Sequence, residues 1–372
     1  MTFRQVSRSR NRMVMKIAQI SPLYESVPPK LYGGTERVVS FLTEELVRQG
    51  HEVTLFASGD SVTSANLVSH TPQALRLGKV REFHSYNLIQ LEEVIDRANE
   101  FDVLHFHTDF HHFPLSKRIG KAHLTTLHGR LDIPDLVPLY RKFTDQPLVS
   151  ISDNQRVHLP VNLNWLGTVY HGLPVDLFTK GEGKGDYVAF LGRISPEKRP
   201  DRAIEIARQA GLRLKIAAKI DEVDQAYYKK SIQKLMKQPH VEFVGEIGEG
   251  EKNSFLGNAK ALLFPIDWPE PFGMVMIEAM ACGTPVIAYH NGSVPEIIDN
   301  GQSGFIVNTI EEAVKALEKV ELLDRGRVRQ LFEERFSVSS MTENYLRLYQ
   351  NLIPKGKELT LLNRNIAQMK IN

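Results

Sequence analysis

Hydrophobic and polar positions along this 372-residue chain fall into two alternating textures. Short runs rich in Val, Ile, Leu and Phe read as strands, and longer stretches with apolar residues every three or four positions read as helices. Strands are expected at 13–20 ("MVMKIAQI"), 51–57, 101–107, 122–128, 147–152 and 167–171, with a helix over 35–50 that stops at Gly50. The pattern lapses at "GLPVDLFTKGEGKG", 172–185, where Gly and charge replace periodicity and a linker is expected. It restarts with strands at 187–192, 213–218, 241–245, 259–265 and 285–289, and helices near 200–210 and 223–237. A helical pattern from 309 to 352 closes the chain. Strand–helix alternation of this kind is how parallel sheets with covering helices are encoded. The expected division is a disordered basic tail at 1–12, an α/β domain at 13–172, a linker at 173–185 and a second α/β domain at 186–336. Residues 337–372 would then form a helical segment crossing back to the first domain.

One stretch strains the pattern. In "DWPEPFGMVMIEAMACGTPVIAY", 267–289, the run from Phe272 to Cys282 is apolar on every side of a helix except at Glu278. A buried carboxylate without a partner costs several kcal/mol, so Glu278 needs a cation, solvent or a ligand that donates hydrogen bonds. Glu270 stands just ahead, before "PFG", where the helix start offers the unpaired N–H groups of Phe272, Gly273 and Met274. Donors and carboxylates side by side suit an oxygen-rich ligand.

Two facing α/β sheets bind ligands between the carboxyl ends of their strands, so the loops after strands carry the remaining signals. "FLGRISPEKRPDRA", 190–203, opens a helix with Arg193, Lys198, Arg199 and Arg202 at its positive end, an arrangement that favours a nearby anion. Arg193 and Lys198 can converge on one diphosphate, Arg through bidentate contacts and Lys as a point charge. The competing reading is a solvated basic loop. Gly33 and Gly34 in "LYGGTERVV" permit close backbone approach to a ligand, although no GxGxxG fingerprint of a nicotinamide site occurs. "LHFHTDFHHF" carries His105, His107, His111 and His112, which read as a polar cleft wall rather than a zinc site, since no Cys or suitable carboxylate set accompanies them. His128, at a strand end before Gly129, is the stronger site candidate.

Composition narrows the classes. A formal net charge of +2 gives no bulk electrostatic case for nucleic acid. The single cysteine, Cys282, allows no internal disulfide and fits a reducing, cytoplasmic setting. No apolar run approaches the ~20 residues of a membrane span, and the arginines of the first dozen residues leave peripheral contact with an anionic membrane open.

Taken together, "GGTER", "TLHG", "GRISPEK" and "EPFGMVMIEAMACGTPVIA" followed by "NGSVPEII" resemble the retaining glycosyltransferases of family 4. The four motifs run in order over residues 33–297, and the Glu-x7-Glu pattern falls on Glu270 and Glu278. The resemblance implies the GT-B architecture, two facing Rossmann-like domains with the ligand cleft between them, the first for the acceptor and the second for the nucleotide-sugar. By it, Arg193 and Lys198 hold the diphosphate, Glu278 takes the ribose hydroxyls, and Glu270 with the backbone at Phe272–Met274 binds the transferred sugar. Gly34 approaches the diphosphate from the other domain, His128 contacts the sugar near its reacting carbon, and Gly245 to Ile247 lie by the base. Gly33, His105 and His107 are assigned to the acceptor side. Where many members carry a second Gly pair before Pro-Glu, this chain has "YHNGSVPE", which leaves the loop around Asn291 open.

The expected activity is transfer of a hexose from a nucleotide-diphosphate sugar, UDP-glucose or similar, to a hydroxyl acceptor on a sugar or glycolipid, in polysaccharide or glycolipid synthesis. No cofactor or essential metal is expected. A GT-B epimerase or phosphorylase, or a non-catalytic sugar-nucleotide binding protein, remains as the alternative.

Overall fold

The computed structural model describes residues 14–30 and 33–354. The expected basic tail at 1–12 lies outside the described residues, as does the part of the expected 337–372 segment beyond residue 354.

Two all-parallel sheets organise the chain. The first holds β1 (Lys16–Ile20), β2 (Glu52–Phe56), β3 (Asn66–Val68), β4 (Val103–Phe106), β5 (His123–Thr126), β6 (Leu148–Ser150) and β7 (Trp165–Thr168), in the order β3-β2-β1-β4-β5-β6-β7. The second holds β8 (Tyr187–Arg193), β9 (Arg213–Lys219), β10 (Val241–Gly245), β11 (Leu262–Phe264), β12 (Val286–Tyr289) and β13 (Gly304–Val307), in the order β10-β9-β8-β11-β12-β13. In both, the order reverses beside the first strand of the sheet. That crevice at the strands' carboxyl ends is where open α/β sheets bind ligands.

The central strands are covered on both faces, which explains their nearly unbroken apolar runs. β4 is buried at all four positions, and β12 likewise. The helix Gly34–Arg48 lays Val38, Val39, Leu42 and Leu46, all fully buried, against the first sheet. The second domain packs Met276, Ile277, Ala279 and Met280 of the short helix Met274–Ala281 into its core, along with Cys282.

The chain crosses between the domains twice, and the crossings touch. Leu173 N–H donates to Phe336 O at 2.9 Å, and Val338 N–H donates to Leu173 O at 2.8 Å. After the second crossing, the helix Val338–Leu352 packs on the first domain, burying Met341, Tyr345, Leu346 and Tyr349 beside Val38, Leu42 and Leu46.

Some expected elements differ. The helix expected over 223–237 is present but irregular, running as 3-10 at Glu222–Asp224, α at Gln225–Tyr227, π at Tyr228–Ile232 and 3-10 again at Leu235–Lys237. The helical pattern over 309–352 breaks into Ile310–Leu317, Arg325–Arg335 and Val338–Leu352, because Asp324 and Ser337 each turn a side chain back onto the next helix's N–H groups. β3 and β13 are not among the expected strands.

Candidate active site

At the carboxyl end of β8 the chain turns through Ser195–Arg199 into the helix Pro200–Gln209. The four cations of this stretch divide into two kinds. Arg199 and Arg202 are committed to the fold: Arg199 meets Asp201 at 2.7 Å and Asp267 at 2.8 Å, and Arg202 meets Asp267 at 3.3 Å while stacking over Tyr289. Arg193 and Lys198 face the crevice instead. Among the described residues Arg193 has loose ion pairs alone, 3.4 Å to Glu197 and 3.7 Å to both Asp221 and Asp224. Lys198 contacts Glu270 and lies 5.3 Å above the Trp268 ring.

Glu270 is nearly buried and also accepts from Trp268 Nε1 at 3.0 Å. Two loops clamp it. Ser293 N–H donates to Glu270 O at 3.0 Å, and Ser293 Oγ donates to Phe272 O at 2.7 Å. A Cβ on Gly292 would lie 2.3 Å from Glu270 N, so only glycine lets "NGSVPE" pack onto "EPFG". The single Gly292 therefore suffices for the contact around Asn291. Gly273 sits at φ +80°, the left-handed region that favours glycine, and turns the chain into the helix Met274–Ala281. Among the described residues none accepts a hydrogen bond from the N–H groups of Phe272, Gly273 or Met274. A basic side chain, a carboxylate and three free donors thus meet at one helix start.

Glu278, one and a half turns further, is 3% exposed. The cations that offset its burial are Arg37, reaching from the helix Gly34–Arg48 of the other domain, and Lys252 at 3.0 Å. Burial works to raise its pKa, but Arg37 and Lys252 outweigh that and hold it at about 2. Both cations bind Oε1, and no described residue hydrogen-bonds Oε2. Ile247 follows β10 and lines an open pocket with Val244, Glu251 and Phe255, which extends to Tyr187 and Lys215 at the amino-terminal half of β8 and β9.

On the facing wall the two glycines behave differently. A Cβ at Gly34 would meet nothing within 4 Å, so the backbone there is open to a ligand. A Cβ at Gly33 would lie 2.8 Å from Pro29 and 3.1 Å from Glu25 and Glu36, so Gly33 answers to packing instead. His128 lies just past β5 and stacks on His171 at 5.2 Å, which in turn meets Phe272 of the "EPFG" loop edge-on at 4.8 Å. Burial lowers its pKa to about 3, so the imidazole is neutral.

His105 and His107 correct an expectation. They do not line the cleft wall: both are essentially unexposed, beneath the helix Val338–Leu352. Strand alternation does put them on one face, but that face is covered. His105 bonds Tyr349 at 2.7 Å and Thr126 at 2.8 Å, and His107 bonds Gln19 and His128, each at 2.8 Å. His112 is buried separately, stacked on Phe106 and bonded to Thr125 and Ser116, while His111 is exposed.

With this geometry fixed, comparison with known proteins is decisive. The family Glycosyltransferase Family 4 matches residues 32–154, and Glycosyl transferases group 1 matches residues 177–335. The chain belongs to the group 1, family 4-like glycosyltransferases. It is 26% identical to the N-acetyl-alpha-D-glucosaminyl L-malate synthase of Bacillus anthracis, over 87% of this chain and 96% of that protein. Among solved structures, HepE of Anabaena in complex with UDP and glucose superposes with a TM-score of 0.69 at 17% identity, over 91% of this chain and all of that one. Sucrose-phosphate synthase from Thermosynechococcus elongatus gives 0.72 at 18% identity, over 91% of this chain and 99% of the other. The two parallel-sheet, Rossmann-like domains are a GT-B fold.

The glycosyltransferase has further site residues that sequence reasoning passed over. Arg130 bridges the cleft, 3.2 Å from Glu197 and 5.3 Å above Trp268. It joins Arg193, Glu197, Trp268, Glu270 and Lys198 into one contiguous cluster. Arg37 answers the charge on Glu278 from 241 residues away, and no local pattern marks such a pair. Glu296 accepts from the N–H groups of Asp153 (2.7 Å) and Asn154 (2.8 Å) and from Tyr170 Oη (3.0 Å), clasping the two domains together. Its position in "NGSVPEII" was the available signal.

Proposed function

We propose that this glycosyltransferase moves a hexose from a nucleoside-diphosphate sugar to a hydroxyl acceptor with retention of configuration, in polysaccharide or glycolipid synthesis. The observation that carries the reading is the meeting of Lys198, Glu270 and the free N–H groups of Phe272–Met274 at one crevice. Departure of a nucleoside diphosphate builds negative charge on the leaving phosphate and positive charge on the sugar ring. Lys198 and Arg193, each paired with carboxylates, exchange those partners for the diphosphate and stabilise its developing charge. Glu270 and the adjacent N–H groups grip the sugar's hydroxyls from the accepting and donating sides. Glu278 offers its open Oε2 to the ribose diol while Oε1 stays with Arg37 and Lys252. The leaving phosphate takes the acceptor's proton on the same face, so Glu270 binds rather than attacks. Fixed cations supply the charge stabilisation, and no metal or cofactor enters the scheme.

Uridine diphosphate is the first carrier to try, because a structural relative was crystallised with UDP-glucose. Lobes of this kind also suit an epimerase, a phosphorylase or a plain binding protein, and the test separates them. Calorimetric titration with UDP, GDP, ADP and their glucose conjugates should show one base bound preferentially. Transfer of labelled sugar to an acceptor should follow, independent of inorganic phosphate. Binding of none of the six removes the reading. Acceptor-free release of an epimer, or dependence on inorganic phosphate, replaces it.

A further inference from the structure

Behind His128 runs an unbroken file of buried hydrogen bonds that the charge chemistry leaves unused. His128 Nε2 meets His107 Nδ1 at 2.8 Å, and His107 Nε2 meets Gln19 Oε1 at 2.8 Å. Gln19 Nε2 donates to Tyr349 Oη at 3.1 Å, and Tyr349 Oη meets His105 Nδ1 at 2.7 Å. His105 Nε2 then meets Thr126 Oγ1 at 2.8 Å, and Thr126 Oγ1 meets Tyr345 Oη at 2.9 Å. Gln19, His105, Thr126, Tyr345 and Tyr349 have no exposed surface, and His107 has 1%.

Each link has a direction, and the directions agree. An amide oxygen only accepts, so His107 Nε2 carries a hydrogen; being neutral, His107 then accepts at Nδ1, and His128 must donate from Nε2. In the other direction, Gln19 donates to Tyr349, so the Tyr349 hydroxyl donates to His105 Nδ1, and His105 donates from Nε2 to Thr126. All three imidazoles are kept neutral by burial, His128 with a pKa of about 3. An independent observation points the same way. His128 Nδ1 is buried and has no hydrogen-bond partner among the described residues. An orphaned N–H is rarer and costlier than an orphaned lone pair, which favours leaving Nδ1 bare.

We propose that this file, anchored on the crossing-back helix by Tyr349 and Tyr345, holds His128 as the Nε2–H tautomer, so that it meets a hydroxyl of the donor sugar as an acceptor through Nδ1. His107, Gln19 and Tyr349 are positioning residues: none touches substrate, and each fixes the hydrogen of the next. The role of Nδ1 rests on the sugar-transfer reading above; the tautomer itself does not. The hydroxyl that reaches Nδ1 breaks no hydrogen bond to a described residue, since that atom makes none.

The test is long-range 1H–15N correlation on the full chain labelled with 15N-histidine, with the His128 signals assigned by their loss in His128→Gln. The unliganded enzyme should show Nε2 protonated and Nδ1 bare. Gln19→Leu and Tyr349→Phe each interrupt the file without charge, and both should give a mixture of tautomers with kcat/KM for the donor about tenfold lower, the worth of one hydrogen bond. A protonated Nδ1 in the wild-type enzyme overturns the proposal without needing any variant to fold. So does an unchanged His128 tautomer in both folded variants. If the wild-type tautomer is as stated but no sugar is transferred, the functional reading fails and the file stands; if sugar is transferred by an enzyme with Nδ1 protonated, the reverse holds.

Discussion

The C-terminal wall of the cleft is built from ions, and the N-terminal wall from neutral rings. On the first, Arg193, Glu197, Lys198 and Glu270, joined by Arg130 reaching over from the other domain, neutralise one another across gaps of up to 3.4 Å, in geometries a ligand can enter and replace. On the second, His128 is backed by the buried His107 and His105 through hydrogen bonds of 2.7–2.8 Å, with every described ring nitrogen but His128 Nδ1 satisfied. The difference follows from burial. Ions keep their charge beside a wet crevice, whereas under the helix Val338–Leu352 an imidazolium would be far too costly to form. An ionic wall can trade partners and so follow charge as it moves during a reaction. A neutral, directional wall cannot do that, but it holds one atom in one protonation state.

The contrast is broken most sharply at Lys198. Lys198→Ala should lower turnover by ~10²–10³, the scale for losing one preorganised charge donor, while the far-ultraviolet spectrum stays that of a folded protein. Interrupting the neutral wall is worth only about tenfold by the argument given above. Matched transfer assays on Lys198→Ala and Tyr349→Phe measure the gap directly. Equal losses would mean that the two walls do not divide charge and position in this way.

The sequence legibly carried the two parallel sheets and the clustering of Arg193, Lys198 and Glu270 near one crevice, because each is local: strand period, a loop after a strand. What it did not carry was the other end of each contact. The charge on Glu278 suggested a missing partner, and a ligand diol was an available answer; Arg37 and Lys252 fill that need first. His105 and His107 looked like a cleft wall, because alternation shows that two residues share a face and says nothing about what covers it. Tyr349, more than two hundred residues on, supplies the cover. Gly33 and Gly34 were one motif in the sequence, yet Pro29 explains the first and open space the second.

The cross-domain pair at Glu278 gives the next largest effect, and it is read in stability. Glu278→Gln leaves Arg37 and Lys252 facing an uncharged amide, and breaking a buried pair in this way costs about 3–5 kcal/mol. The group's folded pKa, about 2, lies below its ordinary 4.5. Its contribution is therefore complete above pH 4.5 and disappears as pH falls from there toward about 2. The gap in Tm between wild type and Glu278→Gln should be wide at pH 7 and close across that acid window. A gap that stays constant with pH would show that the carboxylate's charge is not what Arg37 holds.

A smaller stability effect sits on Glu36, the residue before Arg37, and has the opposite sign. Arg37 points across the cleft, but Glu36 turns inward toward Glu25, and burial pushes its pKa up to about 7, with the charge on Glu25 adding to the rise and backbone N–H groups opposing it. A carboxyl group whose folded pKa lies above 4.5 binds its proton more tightly when folded. The protein therefore loses stability as pH climbs from 4.5 through about 7, by about 3 kcal/mol in full, and keeps the penalty above that. Glu36→Gln removes the titration but gives up one accepted hydrogen bond worth about 1 kcal/mol, so the variant should be about 2 kcal/mol more stable than wild type at pH 8 and slightly less stable at pH 4.5. Paired thermal melts at the two pH values check the crossing. Curves that never cross would place Glu36 among the ordinary ionised carboxylates, and the inward face of this helix would then be ionic like the wall opposite.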